Sequence, residues 1–327
     1  MGVSALPEKP VIFVTRRLPE AVEARLERDY VVRWNASDAV LEGDALVDGA
    51  SGVDGILTCP TERWTAAMLD ALPASVRIIA TFSVGHDHID VAAAARAGII
   101  VTNTPDVLTE ATADIAMLCL LAASRRVGES QSLMRRGDWA RWTPTELLGR
   151  GLQGRVLGIV GMGRIGRAVA NRARAFGLTI HYHNRSRLVA AEEAGATYHE
   201  ALETLLPYAH FLSLNCPATA ENANMINEAR LRLLPNGAVL VNTARGTLVD
   251  DDALIEALTS GRLFAAGLDV FKNEPDFDRR YLDLPNAFFL PHIGSATLET
   301  RNAMGFRCLD NLDACFAGQP IPNAVNG

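Results

Sequence analysis

Short apolar runs and longer amphipathic stretches alternate along this chain almost from end to end. Four runs open the series: "VIFVT" from Val11, "GILTC" from Gly55, "RIIATFS" from Arg77 and "IIVTNT" from Ile99. They are apolar throughout rather than alternating, and each is followed by Pro, Gly or a helical segment. That pattern predicts strands of a parallel sheet buried on both faces. "DIAMLCLLAASRRVGESQSLMRR", from Asp114, predicts one long helix, apolar in its first half and basic at its end, where cations suit a helix C-terminus. After the glycine-rich joint "GRGLQG" a second series begins. "RVLGIV" predicts a strand and "RIGRAVANRARAF" a helix closed by Gly177, a natural residue just past a helix end. "TIHYH", "FLSLN", "AVLVNT", "FAAGLDV" and "AFFLPH" predict further strands, with "DDALIEALTSG" a helix among them and "TLETRNAMGFRCLDNLDACFAG" a last helix. There is no internal repeat and no low-complexity tract.

Bulk composition narrows the class. A chain of 327 residues, 49% of them apolar, is long enough for two domains, each with its own core. A formal charge of −7 attracts neither nucleic acid nor an anionic membrane, so any affinity for phosphate must be local. The five cysteines, Cys59, Cys119, Cys216, Cys308 and Cys315, are scattered without CxxC spacing. Neither a disulfide framework nor a metal site is expected, and a reducing compartment is. The N-terminus, "MGVSALPEKPVIFVTRR", lacks the layout of a secretory signal, and no stretch approaches a membrane span. The expectation is a soluble, cytoplasmic protein.

One local phosphate site is legible. In "VLGIVGMGRIG" the turn Gly161, Met162, Gly163, Arg164, Ile165, Gly166 follows a buried strand and opens a helix. The first glycine permits the tight turn, the second a close approach to a pyrophosphate, the third close helix–strand packing. The helix N-terminus offers N–H groups to the anion. Glycines also serve ordinary turns; here strand, turn, helix, closing glycine and second strand arrive in order, which favours a dinucleotide. The turn stands near the middle of the chain. The expected fold is therefore α/β, with two Rossmann-like domains built on parallel sheets. Residues 1–103 with 291–327 would form a flavodoxin-like substrate-binding domain, and residues 104–290 an inserted nucleotide-binding Rossmann domain.

Some twenty residues beyond such a turn an Asp or Glu ordinarily binds the adenine ribose of NAD. Here the segment "HYHNRSR" places Asn184, Arg185, Ser186 and Arg187 there instead. A carboxylate would repel a 2′-phosphate; guanidinium forks suit one, and Ser186 adds a hydroxyl. The segment therefore reads as a preference for NADP(H), with NAD(H) the weaker alternative. The competing view is that both arginines are solvated loop charge. His181 and His183 read as structural.

Three later motifs end strands of the second series: "VNTARGTLVD", "GLDVFKNEP" and "LPHIGSAT". Ligands of an open parallel sheet bind beyond the carboxyl ends of its strands, which places Arg245, Asp269, Glu274 and His292 toward the nucleotide crevice. Hydride transfer to a carbonyl needs a proton donor for the forming alkoxide, and a histidine held by a carboxylate suits. An arginine can bind a substrate carboxylate and polarise the adjacent carbonyl. Singly, each has a duller role: a loop histidine, a surface acid, a turn cap. Together, downstream of a nucleotide turn, they point to catalysis.

With "GIVGMGRIG", "NTARGTLVD", "AAGLDVFKNEP" and "FLPHIGSAT" in this order, the chain resembles the D-isomer-specific 2-hydroxyacid dehydrogenases over essentially its whole length. Within them it is most similar to glyoxylate/hydroxypyruvate reductases, because "YHNRSR" replaces the acidic selector. The resemblance implies that His292 donates the proton, Glu274 partners it, and Arg245 anchors the substrate. It implies that Val84 and Gly85, in "FSVGHDHID", bind the substrate carboxylate through backbone N–H groups. It implies that Thr112, Cys216, Pro217, Thr243, Ala244, Asp269 and Gly294 line the cofactor. It also implies a homodimer joined through the nucleotide domain and the segment before it, with Trp139 and Trp142 of "GDWARWTP" at or near the interface; an intradomain core position is the alternative for each. His86 and His88 stand where many relatives carry an aromatic and Asn.

The expected activity is NADPH-dependent reduction of small 2-oxo acids, such as glyoxylate and hydroxypyruvate, to D-2-hydroxy acids. Two alternatives remain: another 2-hydroxyacid dehydrogenase, of the 2-ketogluconate or phosphoglycerate type, or a non-catalytic, nucleotide-sensing module like a corepressor. A phosphorylated substrate would need extra cations near "FSVG", where none is evident. A formate dehydrogenase of this fold would carry Gln in place of Glu274.

Overall fold

The apolar runs do become strands, and every strand pairing is parallel. The computed structural model describes residues 9–326, so the part of the N-terminal reading that falls on Met1 to Glu8 lies outside the described residues. The strands are β1 Val11–Val14, β2 Val31–Trp34, β3 Gly55–Thr58, β4 Ile78–Thr81, β5 Ile100–Thr102, β6 Val156–Val160, β7 Thr179–His183, β8 Thr197–His199, β9 Phe211–Leu214, β10 Ala238–Asn242, β11 Leu263–Leu268 and β12 Ala287–Phe289. They form a five-stranded sheet ordered β2-β1-β3-β4-β5 and a seven-stranded sheet ordered β12-β11-β10-β9-β6-β7-β8. The architecture is therefore two parallel-sheet, Rossmann-like α/β units.

By its contacts the chain divides into Met1–Leu108 with Ala296–Gly327, and Thr109–Ser295. Both joints fall a few residues after the boundaries drawn from the sequence. The first unit carries the five-stranded sheet, with Phe13, Ile56, Trp64 and Ile79 in its core, and the final helix, Leu298–Phe316, belongs to it. The second carries the seven-stranded sheet between two apolar clusters. One holds Leu212, Leu240 and Leu254, the other Ile159, Tyr182 and Val241.

The long helix expected from Asp114 is instead two, Thr109–Ser124 and Val127–Arg136. Arg126 stands between them in the left-handed region at φ 54°. The carbonyl of Ser124 accepts the N–H of Arg150 at 2.8 Å, a partner from the glycine-rich joint that the local pattern does not reveal. Trp139 and Trp142, just beyond, are 52% and 77% exposed, which rules out a core position within the unit for either. No helix among the described residues is long and apolar enough to cross a membrane.

Candidate active site

The glycine turn closes the reversal point of the seven-stranded sheet, between β6 and β9. Gly161 adopts φ 90°, and a Cβ there would lie 2.6 Å from the backbone N of Cys216. A Cβ on Gly166 would overlap the carbonyl oxygen of Gly161. Only glycine satisfies both positions, one for its dihedral and one for its packing. Gly163 precedes the helix Arg164–Ala175, no side chain caps that N-terminus, and a Cβ on Gly163 would meet open space. The first N–H groups of a helix lack intrahelical partners, so an uncapped, open start suits a phosphate. Two further features fit a dinucleotide: Oδ1 of Asn215 and Oγ1 of Thr243, both buried, have no hydrogen-bond partner. Cys216 is half-buried, and burial pushes its thiol up to about 11, which suits a lining residue rather than a nucleophile.

Asn184, at the place of the missing acid, accepts the N–H of Met162 through Oδ1 at 2.7 Å, so it braces the turn itself. Arg185 and Ser186 are exposed. Arg187 is exposed as well, but its guanidinium is held by Glu193. His181 bonds His199 ring to ring, Nδ1 to Nε2 at 3.0 Å, and His183 bonds the carbonyl of His199, so both are tied into the edge of the sheet.

Three adjacent strands deliver the remaining residues: β10 leads to Arg245, β11 to Asp269 and Glu274, β12 to His292. His292 Nδ1 and Glu274 Oε2 lie 2.6 Å apart. Glu274 Oε1 accepts the N–H of Phe271, also at 2.6 Å, so the carboxylate is fixed at both oxygens. Asp269, fully buried, accepts the N–H groups of Ile293 and Gly294, one on each oxygen, both at 2.8 Å. Burial pushes its carboxyl above its ordinary value, against the pull of those two donors and of His292. The histidine thus sits between a loop pinned by Asp269 and a carboxylate pinned by its own backbone. Its φ of 53° is unusual for a non-glycine residue and is held by these contacts. Gly294 in turn lies beside Asp269 and Thr112, which gathers these three positions.

Arg245 reaches the same region through its backbone. Gly246 packs directly on the Phe271–Lys272 peptide, so the Arg245 turn rests on the loop of Glu274. The residue that shapes this turn is one the sequence reading passed over. Asn242, buried at the end of β10, donates to the carbonyl of Arg245 at 2.8 Å and accepts the N–H of Ala244 at 3.0 Å. Its own carbonyl accepts the N–H of Asp269 at 2.9 Å. Its place directly before "TARG" at a strand end was the available signal. Of the other residues expected at the cofactor, Pro217 lies in the loop after β9, where its carbonyl accepts the Asn222 side chain at 2.8 Å.

In the first unit, the carbonyls of Ser83 and Val84 are held by the Thr104 N–H and the Asn103 side chain, each at 2.8 Å. In a trans peptide the N–H points opposite the carbonyl, so the N–H groups of Val84 and Gly85 turn away from those partners, as an anion-binding nest requires. His88 bonds the Thr81 hydroxyl through Nε2 at 2.9 Å, and this position is structural.

The family model for the NAD-binding domain of D-isomer specific 2-hydroxyacid dehydrogenases matches residues 117–294. The glycerate dehydrogenase of Hyphomicrobium methylovorum is 42% identical over 319 residues, 97% of this chain and 99% of that protein. The glyoxylate reductase of Thermococcus litoralis is 43% identical over 323 residues, 97% of each chain. Among solved structures, an NADPH-dependent glyoxylate/hydroxypyruvate reductase from Sinorhizobium meliloti, in complex with NADP and malonate, superposes with a TM-score of 0.86 at 38% identity, covering 97% of each chain. The chain belongs to the D-isomer-specific 2-hydroxyacid dehydrogenase family, and its second unit carries that family's NAD-binding domain.

Proposed function

We propose that this protein is an NADPH-dependent reductase of small 2-oxo acids, glyoxylate and hydroxypyruvate first among them, yielding D-2-hydroxy acids. The observation that carries the reading is the 2.6 Å bond between His292 and Glu274, held from behind by Asp269. A carboxylate only accepts, so Nδ1 of His292 carries the hydrogen of that bond and Nε2 is left to deliver a proton. The bound cofactor supplies the hydride. Arg245 supplies the charge that holds a carboxylate and polarises the adjacent carbonyl, and in the first unit the Val84 and Gly85 N–H groups are offered to an anion. The relatives' names support this substrate class, as does Asn184 in place of an acid for the choice of cofactor.

The test is a panel of glyoxylate, hydroxypyruvate, pyruvate and 2-ketogluconate with both reduced cofactors, repeated on His292→Ala. The wild type should reduce glyoxylate or hydroxypyruvate best, with NADPH ahead of NADH. The variant should lose about 10²- to 10⁴-fold in kcat while binding NADPH nearly as well. Absence of turnover with every acid would turn the reading toward a nucleotide sensor.

The reading includes a homodimer working in the reducing cytoplasm. All five cysteines are free thiols. Met134, Trp139, Trp142 and Leu148 stand exposed along one stretch of the second unit, an apolar group of the sort that marks an interface. Light scattering should give twice the chain mass for the wild type and a shift toward the single-chain mass for Trp142→Asp; a monomeric wild type would refute the dimer.

A further inference from the structure

The two arginines after β7 occupy different environments. Arg185 is exposed, and its charge reaches Glu221. Arg187 is met by a carboxylate in fork geometry: its Nε donates to Glu193 Oε1 at 2.8 Å and its Nη2 to Oε2 at 3.1 Å. Glu193 is itself fixed. Its Oε1 accepts the hydroxyl of the buried Tyr182 at 2.7 Å, and that hydroxyl accepts the N–H of Leu188 at 3.0 Å. The Arg187 guanidinium and the Tyr182 hydroxyl hold the Glu193 carboxyl below its ordinary range, so it is an anion at neutral pH. Arg187 also lies 5.9 Å over the Tyr198 ring. The acid missing from position 184 is therefore not absent from the neighbourhood. It stands at the end of the helix Ala190–Glu193, where it neutralises one of the two cations that the sequence offers to a 2′-phosphate.

We propose that Glu193 is a specificity-determining residue of the cofactor site, which captures Arg187 and so limits how far NADP(H) is preferred over NAD(H). This rests on the reading of Asn184 to Arg187 as the adenosine-ribose site. A 2′-phosphate arriving there meets one exposed cation, Arg185, and one already matched by a planar partner. To use Arg187 it must compete with a carboxylate that has the same bidentate geometry and is already in place. A ligand with a 2′-hydroxyl gains nothing from Arg187 and is indifferent to the contest. Glu193 therefore acts on the difference between the two cofactors rather than on their shared part.

The experiment measures binding of 2′,5′-ADP and 5′-AMP to the cofactor-free protein by calorimetry, in wild type and Glu193→Gln. Gln keeps an oxygen for the Tyr182 hydroxyl and removes the charge. The Kd of 2′,5′-ADP should fall about three- to fivefold, the upper scale of a partly exposed charge pair, with 5′-AMP unchanged within about twofold. Adding Arg187→Gln should abolish the gain. Glu193→Asp, which shortens the fork, should move the same ratio the same way by a smaller factor. Unchanged 2′,5′-ADP binding, or equal changes for both ligands, overturns the proposal and leaves Glu193 a structural clamp. Weaker 2′,5′-ADP binding overturns it in the other direction, because Glu193 would then be orienting Arg187 toward the phosphate. Arg185→Asp separates this from the parent reading. If that variant leaves the ratio of the two affinities unchanged, the segment is no selector at all; if it shifts the ratio and Glu193→Gln does not, only the present proposal fails.

Discussion

Beyond the carboxyl ends of β1 and β3 the five-stranded sheet reverses its strand order, and beyond β6 and β9 the seven-stranded sheet does the same. Such reversal points are where open α/β sheets bind ligands. In the first, the crevice is filled from within. Glu62, fully buried, accepts the Thr15 hydroxyl at 2.9 Å, the Cys59 N–H at 3.1 Å and the Thr61 hydroxyl at 2.8 Å, while Arg16 stands 3.9 Å away. The hydroxyls of Thr15 and Thr61 and the Cys59 N–H all find their acceptor in this one carboxylate. In the second, glycines replace side chains and two buried oxygens, on Asn215 and Thr243, are left without partners. One topology thus gives a sealed end and a receptive end. What separates them is whether the strand-end residues satisfy one another or leave polar groups for a ligand.

The sharpest way to break the comparison is to fill the receptive end. Gly161→Ala puts a methyl against Cys216 and strains a φ of 90°. Binding of NADPH should weaken about 100-fold or more by fluorescence titration, the range expected when several kcal/mol of overlap and strain meet a ligand contact. Affinity close to wild type would mean that the turn is not where the pyrophosphate rests. A smaller effect is expected at the sealed end. Glu62→Gln turns an acceptor into a donor among donors, and should cost about 1–3 kcal/mol in chemical denaturation without changing NADPH affinity. A neutral substitution would show that this carboxylate is not the element that closes the crevice.

Much of this was legible in the chain because it depends on local pattern. Apolar runs gave ten of the strands, and "GMGRIG" gave the turn, since a buried parallel strand and a glycine turn are each written in consecutive residues. β2 escaped because it lies at an edge and its residues alternate between exposed and half-buried, and β8 because it is an edge strand, Thr-Tyr-His, with no apolar run. The break at Arg126 and the capture of Arg187 escaped for another reason. Each is decided by a partner brought in by folding, Arg150 in one case and Glu193 in the other. Asn242 reads locally as one more strand residue; its work lies in three bonds that exist only once β10 and β11 are side by side.

The order Arg245, Glu274, His292 along the chain is itself a product of sheet geometry. From β10 to β11 to β12 each crossover moves the chain outward by one strand, a step of about 4.8 Å. The helix Asp251–Thr259 joins β10 to β11, while the link from β11 to β12 carries Glu274 itself, so the ladder sets the strand ends and the Phe271 and Ile293 N–H bonds set Glu274 and His292 upon them. Strand order thus brings the three residues to neighbouring strand ends, and a few backbone bonds do the rest.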